Sequence, residues 1–181
     1  MSDIKIREAV PEDASDVLGI YGPYVTGTAV SFEEQPPSVE EMTSRMARSH
    51  LWLVAHAGSG IAGYAYSTAF HPRPAYRWSA EVSIYLTEAA RGQGLGRSLL
   101  GELLDGARGL GLVNAFAGTT LPNPASIALF ESFGFEKIAH QRAVGFKLGA
   151  WHDVGWWQLQ LIDLPASPPP IPIEDRSKTA H

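Results

Sequence analysis

A glycine-rich loop stands between a strand pattern and a helix pattern in the middle of the chain. It reads Arg91-Gly92-Gln93-Gly94-Leu95-Gly96, follows the alternating apolar run 81–86, and opens the leucine stripe of 95–104. Free N–H groups at a helix start bind phosphate oxygens, and glycines let that backbone come close. The pattern predicts an anion site, although a plain strand-to-helix turn would use the same glycines.

The spacing narrows the choice of phosphate ligand. A P-loop needs Gly, four residues, then Gly-Lys-Ser/Thr, but here Gly96-Arg97-Ser98 is preceded at the required position by Arg91, and the lysine is missing. A dinucleotide loop needs G-x-G-x-x-G and a later carboxylate on the next strand. The chain has G-x-G-x-G, and the next apolar run, 112–117, leads into Gly118-Thr119-Thr120 without a carboxylate. The P-loop is excluded and the dinucleotide site is disfavoured.

The arrangement Arg91-x-x-Gly94-x-Gly96 after an apolar strand resembles the acetyl-CoA pyrophosphate loop of the GNAT superfamily of N-acetyltransferases. A second motif of that superfamily has Asn, a small residue and an aromatic on one helix, then Gly-Phe. Asn123, Ser126, Phe130 and Gly134-Phe135 supply it. Without the resemblance, Asn123 is interpreted as a helix N-cap and Ser126 as a solvated helix residue.

The chain resembles one branch more closely, the phosphinothricin and methionine sulfoximine N-acetyltransferases. The similarity lies in 28–33, 76–81, 121–123, and 145–147 together with 151–155. It implies an α/β GNAT acyl-CoA N-acyltransferase fold, with a mixed central sheet flanked by helices. It also implies a homodimer that transfers the acetyl group of acetyl-CoA to the primary amine of a small amino-acid-like acceptor, by direct attack in a ternary complex.

The resemblance also assigns roles to residues. Glu81 becomes the general base, since an α-amino group has a pKa near ~8 and must lose a proton before it attacks; otherwise Glu81 is an edge carboxylate in water. The implied acetyl-CoA contacts follow the strand end, the loop and a later helix: Ile84, Tyr85, Leu86, Arg91, Gly92, Gln93, Gly94, Leu95, Gly96, Arg97, Asn123, Ser126 and Phe130. The implied acceptor contacts lie in two loops: Phe32, Glu33, Arg73, Tyr76, Arg77 and Trp78.

Some of these roles have alternatives. Guanidinium groups at Arg73 and Arg77 suit the carboxylate of an amino-acid-like acceptor, but exposed loop arginines are often only solvated. Phe32 suits a pocket wall or the core equally well. Phe130 stands where relatives carry a Tyr or His that protonates the CoA thiolate, and a phenyl ring can only pack. Tyr85 or water is the alternative donor, and a backbone N–H around 83–86 is expected to polarise the thioester carbonyl.

Periodicity predicts the order βααβββαβαββ over 1–164, followed by a proline-rich flexible tail at 165–181. Among the details, Ser38 and Glu41 predict a capping box at the second helix. Residues 51–55 and 61–66 predict an antiparallel hairpin. The segment Trp151-His152-Asp153 is predicted as a turn stabilised by Asp153.

Composition excludes several functions. The 181 residues have a net charge of −5 with no basic cluster, which argues against nucleic-acid binding. There is no cysteine and the six histidines form no ligand pattern, so no metal is expected. No apolar run approaches the ~20 residues of a membrane span, so we expect a cytoplasmic protein with no membrane contact.

Two other functions stay open. One is acetylation of a protein N-terminus or a polyamine within the same fold. The other is a non-catalytic acyl-CoA-binding module, which Phe130 favours and Glu81 disfavours.

Overall fold

The computed structural model describes residues 4–58, 60–164 and 166–170, and shows one mixed sheet with helices on both faces. The order of elements is the predicted βααβββαβαββ. The strands are β1 (Lys5–Glu8), β2 (Leu51–Ala57), β3 (Gly60–Ala69), β4 (Ser79–Leu86), β5 (Asn114–Leu121), β6 (Glu136–Lys147) and β7 (Ala150–Gln160). The helices are α1 (Ala14–Gly27), α2 (Val39–Arg48), α3 (Leu95–Gly109) and α4 (Pro124–Glu131). The predicted fold class is confirmed.

The sheet has the order β1-β2-β3-β4-β5-β7-β6. The pair β4–β5 is parallel, and the other neighbouring strands described are antiparallel. A parallel pair needs a crossover connection, and α3 supplies it between β4 and β5. The predicted hairpin of β2 and β3 is confirmed. The glycine loop therefore lies at the carboxyl end of a central strand.

Two apolar cores lie on opposite faces of the sheet. On one face, Leu99, Leu100, Leu103 and Leu104 of α3 are buried against alternate residues of the central strands. On the other face, α1 and α2 cover a core rich in tyrosine and tryptophan. Burial of each large apolar side chain contributes about 1.5–3 kcal/mol, so both helix layers are firmly attached. Glu81 thus lies on a strand that both cores hold in place, and the glycine loop follows the end of that strand.

Helix ends follow local chemistry. Ser38 accepts a hydrogen bond from Glu41 N at 3.1 Å, as predicted for the start of α2. The Glu41 carboxylate turns instead to Arg45 and Arg48, so the reciprocal half of the capping box is replaced by ion pairs. No helix in the described ranges has the length and apolar character needed to cross a membrane.

The predicted turn at Trp151-His152-Asp153 is wrong, because these residues lie in β7. The reversal comes earlier, at Leu148 and Gly149, which both have positive φ. Asp153 does stabilise a local irregularity, but in β6: its carboxylate accepts from Ala143 N at 2.8 Å and binds His140 at 2.6 Å. The β6–β7 register shifts there, and long hairpins with such bulges have weak sequence signals.

Candidate active site

A cleft opens between β4 and β5 in the middle of the sheet. The two strands pair only where Ser79, Ala80 and Glu81 face residues 114–116. Beyond Glu81, β4 continues to Leu86 beside β3, while β5 continues to Leu121 beside β7. The strands separate in the direction of the glycine loop, so the cleft connects Glu81 with that loop.

Hydrogen bonds show which backbone groups of β4 face the cleft. Thr87 N donates to Ala62 O at 2.8 Å, and the β3–β4 register is continuous from there to Ser79. Bonded and non-bonded pairs alternate in an antiparallel ladder, so the odd-numbered residues of β4 bond to β3. The even-numbered residues therefore direct their N–H and C=O groups toward the cleft: Val82, Ile84 and Leu86.

The glycine loop presents a helix N-terminus to this cleft. Gly92 and Gly94 have φ values of 73° and 83°, in the left-handed region that favours glycine. Ser98 N donates to Gly94 O at 3.1 Å, and the preceding N–H groups, 95–97, have no intrahelical acceptor. These N–H groups are available to an anion, and binding of an anion here stays a prediction.

The side chains around the loop point in different directions. The Arg91 guanidinium lies 5.2 Å from the centre of the Tyr24 ring. The Gln93 amide donates back to Ala89 O, which closes the turn. Arg97 donates to Ser132 Oγ at 3.0 Å, beyond the end of α4. Arg91 is therefore the loop arginine that lies beside the end of β4.

Glu81 is a half-buried carboxylate on the face of β4 covered by α1 and α2. Its direct neighbours across the strands are Thr68 on β3 and Phe116 on β5. The Phe116 ring stacks on Phe70 at 4.1 Å, which makes this side apolar. Burial raises the pKa of Glu81 above its ordinary value. A carboxylate with a raised pKa is a stronger base than a solvated one.

Five tyrosines form a cluster on the same face, a feature that the sequence analysis missed. Their ring centres are 5.1 to 6.2 Å apart. Burial raises the pKa of Tyr85 well above its ordinary value and that of Tyr21 to about 12, so both stay neutral. Alternate tyrosines on β3 and a pair three residues apart on the first helix were the available signals. The members are Tyr21, Tyr24, Tyr64, Tyr66 and Tyr85.

Phe32 and Glu33 lie in the segment that follows α1. The Phe32 side chain is exposed and is not part of either core. Its ring covers Gly145 of β6 so closely that a side chain at 145 would collide with it. Glu33 binds Arg45 at 2.6 Å and accepts from Tyr21 Oη at 3.1 Å. The segment is thus attached to α1, α2 and β6.

Lys147 fixes the same segment and was not singled out in the sequence for this role. Its ammonium group donates to the carbonyl oxygens of Val25, Ser31 and Glu33, at 2.6, 2.5 and 2.7 Å. Three carbonyls use all three ammonium donors. One side chain from the β6–β7 hairpin therefore sets the course of the chain from α1 to Glu33.

The segment before β4 carries four predicted acceptor residues, and three of them are exposed. Arg77 Nε donates to Pro74 O at 2.7 Å, and its guanidinium lies 5.3 Å from the Trp78 ring centre. Tyr76 packs on His71, and Arg73 is solvated. Trp78 Nε1 donates to Pro169 O at 3.0 Å, so this residue of the predicted tail lies against the segment. Residues 165 and 171–181 of that tail lie outside the described residues.

The second predicted motif lies at the end of β5. Asn123 caps α4, because its Oδ1 accepts from Ser126 N at 3.2 Å. Phe130 is 5% exposed and packs against Phe135, with ring centres 5.3 Å apart. Phe130 therefore packs in the core, and its contact with the pantetheine arm of acetyl-CoA stays a prediction. Its ring has no group that transfers a proton.

A cavity of about 350 Å³ lies near Glu81 on the tyrosine face. Thr68, the strand partner of Glu81, lines it together with Tyr66, Arg45 and Arg48. Such a volume is enough for a small amino-acid-like molecule. Within the described ranges, no group of three or more His, Asp or Glu residues could hold a metal ion.

Comparison with known proteins identifies the family. Residues 6–156 match the model of the acetyltransferase (GNAT) domain. The chain is 34% identical over 171 residues to phosphinothricin N-acetyltransferase of Streptomyces viridochromogenes, covering 93% of each chain. It is 34% identical over 160 residues to L-methionine sulfoximine/L-methionine sulfone acetyltransferase of Salmonella typhimurium, covering 86% of this chain and 94% of that one.

A solved structure shows the same architecture. The GNAT superfamily phosphinothricin acetyltransferase of Sinorhizobium meliloti, in complex with AcCoA, superimposes with a TM-score of 0.89 at 36% identity, covering 98% of both chains. The strand order, the cleft beside the glycine loop and these similarities lead to one conclusion. The chain belongs to the GNAT acetyltransferase family.

Proposed function

We propose that the protein transfers the acetyl group of acetyl-CoA to the primary amine of a small amino-acid-like acceptor, of the phosphinothricin or methionine sulfoximine type, by direct attack in a ternary complex. One observation carries the proposal. A half-buried carboxylate lies near the start of β4, one of the two strands that border the cleft, and a glycine-rich helix N-terminus follows the end of the same strand. The relatives are named for this chemistry.

The donor would lie along the cleft. Its pyrophosphate would bind the free N–H groups of the loop, 92–97, with Arg91 adding positive charge. Its pantetheine arm would follow the cleft-facing backbone of Ile84 and Leu86 beside Tyr85. Asn123 and Ser126 begin α4 on the opposite wall, and Phe130 closes the core behind them.

Glu81 would act as the general base. The acceptor is mostly an ammonium ion at neutral pH, and Glu81 would first take one proton from it, which frees the nitrogen lone pair for attack on the thioester carbon. The nitrogen would lose its second proton to water as the tetrahedral intermediate collapses. The C–N bond forms, the C–S bond breaks and the thiolate of CoA leaves. The N–H of Ile84 faces the cleft between Glu81 and the loop, so it is our candidate donor to the developing oxyanion.

The leaving thiolate needs little acid help. A simple thiol has a pKa of about 8.5, so the thiolate is a tolerable leaving group near neutral pH. Phe130 cannot donate a proton. Tyr85 is a weaker acid than an exposed tyrosine, because burial raises its pKa. Protonation by water is therefore the favoured route.

The acceptor would bind between the two loops on the tyrosine face. Phe32 and Glu33 would form one wall, and the segment with Arg73, Tyr76, Arg77 and Trp78 would form the other. A guanidinium of that segment would bind the acceptor carboxylate through two parallel hydrogen bonds. Arg73 is the better candidate, because Arg77 is already bonded to Pro74 O.

A homodimer belongs to this proposal. Trp151, Phe146 and Leu148 at the end of the β6–β7 hairpin are 66%, 60% and 62% exposed, and β6 is an edge strand. Exposed apolar clusters of this kind mark protein interfaces, and a second copy is the partner we propose. Trp151→Glu should convert a sedimenting dimer into a monomer. A wild-type protein that sediments as a monomer at assay concentration would refute the dimer.

An acceptor panel tests the function. Thiol release from acetyl-CoA would be followed with phosphinothricin, methionine sulfoximine, a peptide N-terminus and a polyamine. We expect kcat/KM at least about tenfold higher for the two amino-acid analogues. A preference for the peptide or polyamine would move the enzyme to another acceptor class. Binding of CoA in calorimetry without thiol release from any amine would identify a binding module instead.

A further inference from the structure

Tyr24 of α1 reaches the open end of β4. Its hydroxyl donates to Leu86 O at 2.7 Å, and Leu86 N donates to the same hydroxyl at 3.3 Å. Leu86 is a cleft-facing residue of β4, so β5 does not bond to it. A side chain 62 residues away in sequence thus satisfies both backbone groups at this point.

The ring of Tyr24 makes two further contacts. Its centre lies 5.1 Å from that of Tyr85, at a nearly perpendicular angle. The guanidinium of Arg91 lies 5.2 Å from the centre of the same Tyr24 ring. Arg91 opens the glycine loop and carries one of its positive charges, and a cation over an aromatic ring is held by the ring quadrupole.

Tyr24 therefore touches both ends of the segment that joins β4 to the loop. Leu86 ends the strand, a short helical turn follows at Glu88–Ala90, and Arg91 comes next. The hydroxyl fixes the first end and the ring fixes the second. One side chain sets the distance and the orientation between the cleft-facing backbone and the loop arginine.

We propose that Tyr24 is a positioning residue for the acetyl-CoA donor, an inference that rests on the proposed function. The hydroxyl keeps the end of β4 in the conformation that the pantetheine arm requires. The ring holds the guanidinium group of Arg91 in place before the donor binds. Preorganisation of this kind strengthens binding because the ordering cost is met before the ligand arrives.

The experiment measures CoA affinity by calorimetry for wild type, Tyr24→Phe and Tyr24→Leu. Tyr24→Phe keeps the ring and loses the hydroxyl, so Kd should rise roughly fivefold. Tyr24→Leu also loses the ring, so Kd should rise by a further factor of about two to five. The KM for the acceptor, at saturating acetyl-CoA, should stay within about twofold of wild type for Tyr24→Phe.

Tyr21→Phe is the matched control. Tyr21 makes the same perpendicular contact with Tyr85 at 5.1 Å, but its hydroxyl bonds to Ser31 and Glu33 on the acceptor side. Its loss should leave CoA affinity unchanged. Equal weakening of CoA binding by Tyr21→Phe and Tyr24→Phe would overturn the proposal, because it would indicate general loss of the aromatic cluster.

A double-mutant cycle separates positioning from folding. Arg91→Ala and Tyr24→Leu should weaken CoA binding by less in combination than the product of the single effects, because each removes the same contact. Additive effects would refute the contact with Arg91. Tighter binding by Tyr24→Phe would refute the role of the hydroxyl, since it would mean that the hydroxyl competes with the donor for Leu86. If the wild-type protein does not bind CoA, the proposed function itself is wrong, and that result is obtained before any variant is measured.

Discussion

Glu81 and Phe116 are the last paired residues of β4 and β5, and the cleft begins directly after them. The half-buried carboxylate therefore lies where the sheet opens, beside an aromatic ring. This position accounts for the raised pKa of Glu81.

Replacement of Glu81 by Gln should lower kcat about 10²–10⁴-fold, the usual contribution of a general base. The kcat/KM of wild type should fall on the acid side with an apparent pKa above that of an ordinary glutamate, because burial disfavours the charged form. Rate measurements from pH 5 to 9 at saturating acetyl-CoA test this. If kcat/KM of Glu81→Gln falls at acid pH in the same way as that of wild type, Glu81 is excluded as the base.

The same substitution should stabilise the protein at neutral pH. The pKa of Glu81 is higher in the folded state than in the unfolded state, so its contribution favours folding below the unfolded pKa and is lost as pH rises through the folded pKa. Glutamine does not ionise, so Glu81→Gln removes this loss of folding stability at higher pH. Its Tm should exceed that of wild type at pH 8, by about 2–4 °C for each kcal/mol, and the gain should shrink toward pH 4. A gain that is the same at both pH values would point to another cause.

Lys147→Met should weaken acceptor binding and leave CoA affinity unchanged. The carbonyls of Val25, Ser31 and Glu33 lose their donor, and charge-assisted hydrogen bonds contribute about 1.5–3 kcal/mol. We expect the acceptor KM to rise several-fold. Lys137→Met is the control on the same strand, because the Lys137 ammonium lies over the Trp157 ring and does not reach this segment. Similar effects of both variants would contradict the assignment.

Phe130→His should not raise kcat. Phe130 is buried against Phe135, so the imidazole would lie in the core without reaching the cleft, and unfolding free energy should fall by about 2–4 kcal/mol. Stopped-flow thiol release and thermal unfolding measure the two effects. A tenfold or greater increase in kcat would show that the missing acid limits the reaction.

Local sequence patterns predicted the helices and strands. They did not predict contacts between residues that are far apart in the sequence. The alternation in β4, the glycines at 92 and 94 and the leucine stripe of α3 act within a few residues, so their structure follows from neighbours in sequence. Tyr24 and Leu86 are 62 residues apart, and Lys147 and Ser31 are 116 apart. Such contacts depend on strand order and register, which no local pattern determines.

The residues of the candidate site also fall into two groups, those that the sequence predicted and those that depend on the fold. The strand–glycine–helix pattern predicted the loop as an anion site, and the resemblance added Glu81 as the base. The structure shows Glu81 on β4 and the loop after the end of that strand. The β4 residues whose backbone groups face the cleft could be identified only from the register of β4 with β3. The acceptor side was predicted from the resemblance and from residue type, and Arg77 shows the limit of both. Its bond to Pro74 O depends on a turn that begins at Pro74.

The separation of β4 from β5 leaves the sheet incomplete at its centre. An extended pantetheine arm carries amide groups, so it can supply the hydrogen bonds that a strand would supply there. The donor would then serve as a temporary strand, inserted with each turnover and withdrawn as CoA leaves. Binding would bridge the separated parts of β4 and β5, and the Tm would rise with CoA concentration according to mass action.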